Sequence, residues 1–125
     1  MNVIIRSGSP DNRMMSRFVI YNDVVYLSGV TARRADGPPP ATFEEQVEVV
    51  LRKIDTTLEE AGSNRRHMLQ ALVFLRNSTD FHTFNKMWDA WVPEGCSPAQ
   101  TCVEAGVPRQ LELMFEVQIT AAVAR

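Results

Sequence analysis

Histidine and cysteine are scarce in this sequence, and their spacing excludes most of the chemistry they could support. The two cysteines, Cys96 and Cys102, do not form a C-x-x-C pair, and His67 and His82 lie far from both in sequence. A zinc site is not expected from such a set, and no role is assigned to either histidine. Positive charge is also in short supply: 13 Lys and Arg against 15 Asp and Glu leave a net charge of −2. Binding a phosphate backbone requires a basic field, so nucleic acid is not an expected partner. The pairs Arg33–Arg34 and Arg65–Arg66 fall in loop-like segments and read as solvated charge. No window approaches the ~18 apolar residues of a membrane span. The stretch from Met1 to Arg6 lacks the apolar core of a signal peptide. The expected setting is therefore a reducing cytoplasm, with no membrane partner.

What is present is ordinary globular composition. With 125 residues and 45% apolar side chains, the chain is expected to form one domain over residues 1–125 and to bury its own core. Ala35-Asp36-Gly37-Pro38-Pro39-Pro40 is an extended surface loop, since consecutive prolines forbid both helix and sheet ladder. Before it, Phe18–Tyr21 and Val24–Leu27 are β-branched and aromatic and read as a hairpin around Asn22-Asp23, two residues that tolerate positive φ. Residues 3–6 add a short preceding strand.

After the loop, Thr42-Phe43-Glu44-Glu45 has the form of a capping box, with Glu45 reaching back over the helix start. Val47, Val50, Leu51, Ile54, Leu58 and Ala61 then follow at helical spacing, and Gly62 is placed to end the helix in a left-handed conformation. This predicts a helix over 42–61. Residues 68–75 are almost continuously apolar, which fits a strand covered on both faces or a buried helix; at eight residues a central strand is preferred. Phe81, Phe84, Trp88 and Trp91 form a helical stripe that predicts core packing over 80–91, ended by Pro93 and Gly95. Two alternating strands close the sequence. In 98–105, Gln100, Cys102 and Glu104 share one face. In 111–119, Leu111 to Ile119 face the core, and Glu112, Met114, Glu116 and Gln118 face away.

The implied architecture is α+β: a two-layer sandwich with two helices on one face of a mixed sheet. The other sheet face would be semi-polar, carrying Glu112, Glu116, Gln118 and Gln100. A second copy could cover it and place those groups in a subunit cleft.

Several segments together resemble one known family. They are Tyr26-Leu27-Ser28-Gly29, the helix end Glu60-Ala61-Gly62-Ser63, the strand Ala71–Leu75, Asp80-Phe81 with Asn85, Pro98-Ala99, Cys102-Val103-Glu104, and Glu116 in the final strand. In order and spacing they are similar to the Rid (reactive intermediate deaminase, YjgF-like) family, and Asn85–Trp91 looks most like its YoaB-like branch. The resemblance implies a chorismate-mutase-like fold, a homotrimer and small-molecule sites at the subunit clefts. It also implies hydrolysis of reactive imines and enamines without metal or organic cofactor. Some members have been described as endoribonucleases or translation inhibitors.

Family site residues carry over only where this sequence matches. Ser28 falls on the strand-end serine, Cys102 on the cysteine near the ligand, and Glu116 on the glutamate that positions or activates water. Gln100 falls where the family has its ligand-anchoring arginine, and a family tyrosine falls close to Met15. Arginine grips a carboxylate with two charge-assisted bonds, whereas glutamine offers one neutral amide. The difference is worth on the order of 1.5–3 kcal/mol in a desolvated cleft. Arg109 and Arg17 are the candidates to replace the missing charge. The expected function is a deaminase-like hydrolase of a small metabolite with non-standard specificity, and the alternative is a trimer that binds a metabolite without turnover.

Overall fold

The computed structural model describes residues 3–8 and 14–125. The order is β1 (Ile5–Arg6), β2 (Phe18–Tyr21), β3 (Val24–Leu27), α1 (Phe43–Glu60), β4 (Met68–Leu75), α2 (Phe81–Trp91), β5 (Ala99–Glu104) and β6 (Phe115–Ala122). The six strands form one sheet in the order β1-β2-β3-β6-β4-β5. Only β4 and β5 run parallel, joined by the crossover through α2; the other pairs are antiparallel.

Local chemistry sets the boundaries. The β2–β3 turn needs two left-handed residues, and Asn22 (φ 51°) and Asp23 (φ 65°) supply them. At the start of α1, the Thr42 hydroxyl accepts the Glu45 amide at 3.2 Å. The capping box closes differently from expectation: the Glu45 carboxylate accepts from the Thr42 hydroxyl at 2.8 Å. At the other end Gly62 (φ 79°) lets the chain turn back, so Ser63 N–H reaches the Leu58 carbonyl and Gly62 N–H that of Glu59.

The core lies between the helices and one sheet face. Phe43, Val47, Val50, Ile54 and Leu58 of α1 and Phe84 and Trp88 of α2 pack on Val25, Leu27, Ala71, Val73, Phe115, Val117 and Ile119. The aromatic stripe is core only at its centre, since Phe81 is 40% exposed. The last strand also starts later than its alternation suggests: Arg109–Leu111 is a 3-10 turn and Glu112 is left-handed. Leu113 beyond that turn is buried.

Two polar residues do structural work that the sequence reading missed. Gln46 is fully buried. Its amide donates to the carbonyls of Pro40 and Glu112 at 3.0 and 2.9 Å, and its oxygen accepts from Met114 N–H at 3.0 Å. It pins the proline loop and the turn before β6 to α1. Gln46→Leu would leave those three backbone groups unpaired in a dry site, at an expected cost of about 3 kcal/mol. The measurement is the urea midpoint; a shift equivalent to less than about 1 kcal/mol would show that water replaces the amide. Arg65, read above as solvated, instead forms a two-pronged pair with Asp55 of α1 (3.1 and 2.9 Å). It also donates to the Trp91 carbonyl at the end of α2.

Candidate functional site

Ser28 and Gly29 leave the end of β3 and enter a cleft of about 500 Å³ between that strand end and α1. Met15, Arg17, Val30, Thr31, Val49, Arg52, Lys53, Thr56 and Thr57 complete its lining. The Ser28 hydroxyl donates to the Ser16 carbonyl at 2.5 Å, which fixes its rotamer against the preceding segment. Val30 exchanges backbone hydrogen bonds with Val117, so Gly29 passes directly beside β6.

That passage brings Glu116 into the site. A methyl group at Gly29 would lie 1.8 Å from Glu116 Oε2 and 2.7 Å from its Cδ, so the carboxylate occupies the space that the missing side chain leaves. Glu116 pairs in register with Phe74 and lies on the sheet face away from the helices. Ser28, Gly29 and Glu116 are thus one cluster within one chain.

Gln100 and Cys102 are not part of that cluster. β5 lies three strands from β3, about 14 Å at ~4.8 Å per strand. In the parallel register Gln100 aligns with Ala71 and Cys102 with Val73, both buried under the helices. The two residues therefore point to the helix side, opposite to Glu116. This corrects the expected semi-polar face. It carries Glu116, Gln118, Thr120 and Thr101 among Tyr26, Leu72, Phe74 and Val103, while Gln100 lies on the other face and Glu112 in the turn before β6. Gln100 is exposed. Cys102 lines a small cavity of about 260 Å³ with Ser78, Phe81 and His82, and partial burial raises its thiol pKa, so it stays protonated near neutrality.

The two candidate replacement arginines also separate. Arg109 lies beyond β5, lining a polar cavity with Arg76, Asp80 and Glu104. Arg17 lines the Ser28 cleft, with one guanidinium nitrogen 2.6 Å from Glu60. Lys53, unnoticed in the sequence, donates to the Thr31 and Arg33 carbonyls at 2.8 and 2.6 Å and holds the segment after β3 against α1. Burial first, and Arg34 second, lower its pKa.

Two helices on one face of this mixed sheet define the YjgF-like α+β fold. NMB1025 from Neisseria meningitidis, a member of the YjgF protein family, superposes with a TM-score of 0.85 at 35% identity, covering 98% of this chain and 97% of that one. A Rid family protein from Yersinia pestis shares the fold at a TM-score of 0.87 and 20% identity, covering 97% of this chain and 100% of that one. The RutC family protein YoaB of Escherichia coli strain K12 is 38% identical over 108 residues, 86% of this chain and 90% of that protein. Residues 10–123 match the family described as Endoribonuclease L-PSP. The chain belongs to this family, also called YjgF, RutC or Rid.

Proposed function

We propose that the protein assembles as a homotrimer and hydrolyses a reactive imine or enamine-type metabolite, without a cofactor, in clefts shared between subunits. The observation that carries this reading is the separation of the site residues into two half-sites. Ser28, Gly29 and Glu116 cluster at one place, and Gln100 and Cys102 lie three strands away on the opposite sheet face. A neighbouring copy that presents its β5 edge to the Ser28 cleft would complete one site from two chains.

In that site Glu116 acts as general base, holding and deprotonating the water that attacks the imine carbon. The amide that Gln100 offers is neutral, which moves the specificity away from substrates gripped there by a carboxylate. Two observations favour a second reading, binding without turnover: the Ser28 hydroxyl is already committed to Ser16, and Gln100 carries no charge. RNA cleavage, the activity in the family's description, is not proposed for a chain of net charge −2.

Two measurements test the proposal. Sedimentation at micromolar concentration is expected to give about three chain masses, and a monomer would sink the shared cleft. An imine panel assayed with wild type and Glu116→Ala is expected to show turnover that the substitution abolishes. Binding with no turnover of any imine would leave the second reading.

A further inference from the structure

We infer that the ligand of the Ser28 cleft carries an anionic group at the end remote from its reacting carbon, held by Arg17 and Arg52. This rests on the proposed function in using the same cleft, and it names the substrate class and the residues that select it.

The charges lining the cleft are all of one sign. Arg17, Arg52 and Lys53 contribute three cations, and no carboxylate is among the lining residues. Their hydrogen bonding assigns them different tasks. The Lys53 ammonium is occupied by the Thr31 and Arg33 carbonyls, so it contributes positive field and holds the loop, with little left for direct contact. Arg17 uses one nitrogen on Glu60, and a guanidinium has five N–H donors. Among the described residues the Arg52 guanidinium has no hydrogen-bond or ion-pair partner. A fork of unspent donors beside apolar Met15, Val30 and Val49 is suited to a carboxylate or phosphate group.

Placement separates the two ends of the ligand. The Ser28–Gly29 wall, with Glu116 packed on Gly29, belongs to the strand end, whereas Arg52 stands on α1 across the cleft. The volume of about 500 Å³ is of the size that encloses ligands well beyond three or four carbons. A short 2-imino acid would place its only carboxylate next to its reacting carbon and leave Arg52 unused. A longer acid with a second, distal anion would satisfy both walls.

The test is calorimetric titration of the full chain with three stable keto analogues of one length. These are 2-oxoglutarate, its 5-amide 2-oxoglutaramate, and the counterpart with a phosphonate in place of the 5-carboxylate. Both distal anions are expected to bind at least tenfold more tightly than the amide, and the tighter of the two identifies carboxylate or phosphate as the natural group. Arg52→Gln and Arg17→Gln are expected to close that gap, while Arg66→Gln, an equal charge change on an exposed loop, leaves it intact. Equal affinity of anions and amide for wild type would overturn the inference and leave the cleft as a binding site. A gap that survives both arginine substitutions would overturn the assignment to these residues. Binding of none of the three, with no imine turnover, would remove the cleft itself and the proposed function with it.

Discussion

Gln100→Arg is expected to raise 2-iminopropanoate deamination about ten- to hundredfold, from a wild-type rate that is weak or absent. A short imino acid must be anchored through the one carboxylate next to its reacting carbon, and in the proposed shared cleft the neighbouring β5 edge offers only a neutral amide at that point. Restoring a guanidinium adds a charge-assisted, two-pronged grip. The rescue is expected to be incomplete, because the thioether of Met15 stands where the family resemblance places a phenol. The measurement is imine decay in a coupled dehydratase assay, with Glu116→Ala added to the Gln100→Arg background. Robust wild-type activity would show that Arg17 or Arg52 already anchors short acids. No gain in the single variant would show that Gln100 does not face the substrate, and activity surviving Glu116→Ala would remove Glu116 from the mechanism.

The second large effect is expected at Gly29. Its backbone is not in the left-handed region, so the position requires glycine for space and not for conformation. A Cβ there would meet Glu116 Oε2, Cδ and Cγ at 1.8, 2.7 and 3.0 Å. Glu116 is half-buried and can swing outward, so Gly29→Ala is expected to displace the carboxylate more than to unfold the protein. The stability cost is about 1–3 kcal/mol, as for a modest overpacking. Activity is expected to fall as far as in Glu116→Ala, about 10²- to 10⁴-fold for a lost general base. In Gly29→Ala/Glu116→Ala most of the stability is expected to return, a coupling that a double-mutant cycle reads directly. Full activity in Gly29→Ala would mean that the carboxylate need not lie where it does.

The elements that sequence alone made legible are those fixed by near neighbours. Thr42 and Gly62 bracket α1, Asn22-Asp23 sets the hairpin, and the alternation of 113–121 marks the buried face of the central strand. What stayed hidden depends on partners distant in sequence. Alternation through 111–119 survives a left-handed residue at Glu112, because the turn keeps the parity of the pattern. Gln46 sits between Phe43 and Val47 on the dry face, where a polar residue looks like an interruption until Pro40, Glu112 and Met114 are seen around it. The pairing of Arg65 with Asp55 has no local signature. Within β5 the alternation grouped Gln100 with Cys102 correctly. It could not say that this group faces away from Glu116, because that follows from the parallel register with β4, a strand apolar on both sides.

The sheet order also bears on how the protein is made. β6 is the last strand in the sequence, yet it lies in the middle of the sheet between β3 and β4. Until residues 115–122 emerge from the ribosome, the nascent chain holds two separate pieces: the β1–β2–β3 meander and the β4–α2–β5 unit. Each has an unpaired edge and an apolar face with nothing to close it. Insertion of the final strand fills both edges at once and delivers Glu116 to Gly29. Assembly of the cluster is therefore the closing event of folding, and during synthesis the two open edges, β3 and β4, are the surfaces at which strand-to-strand aggregation between nascent chains would begin.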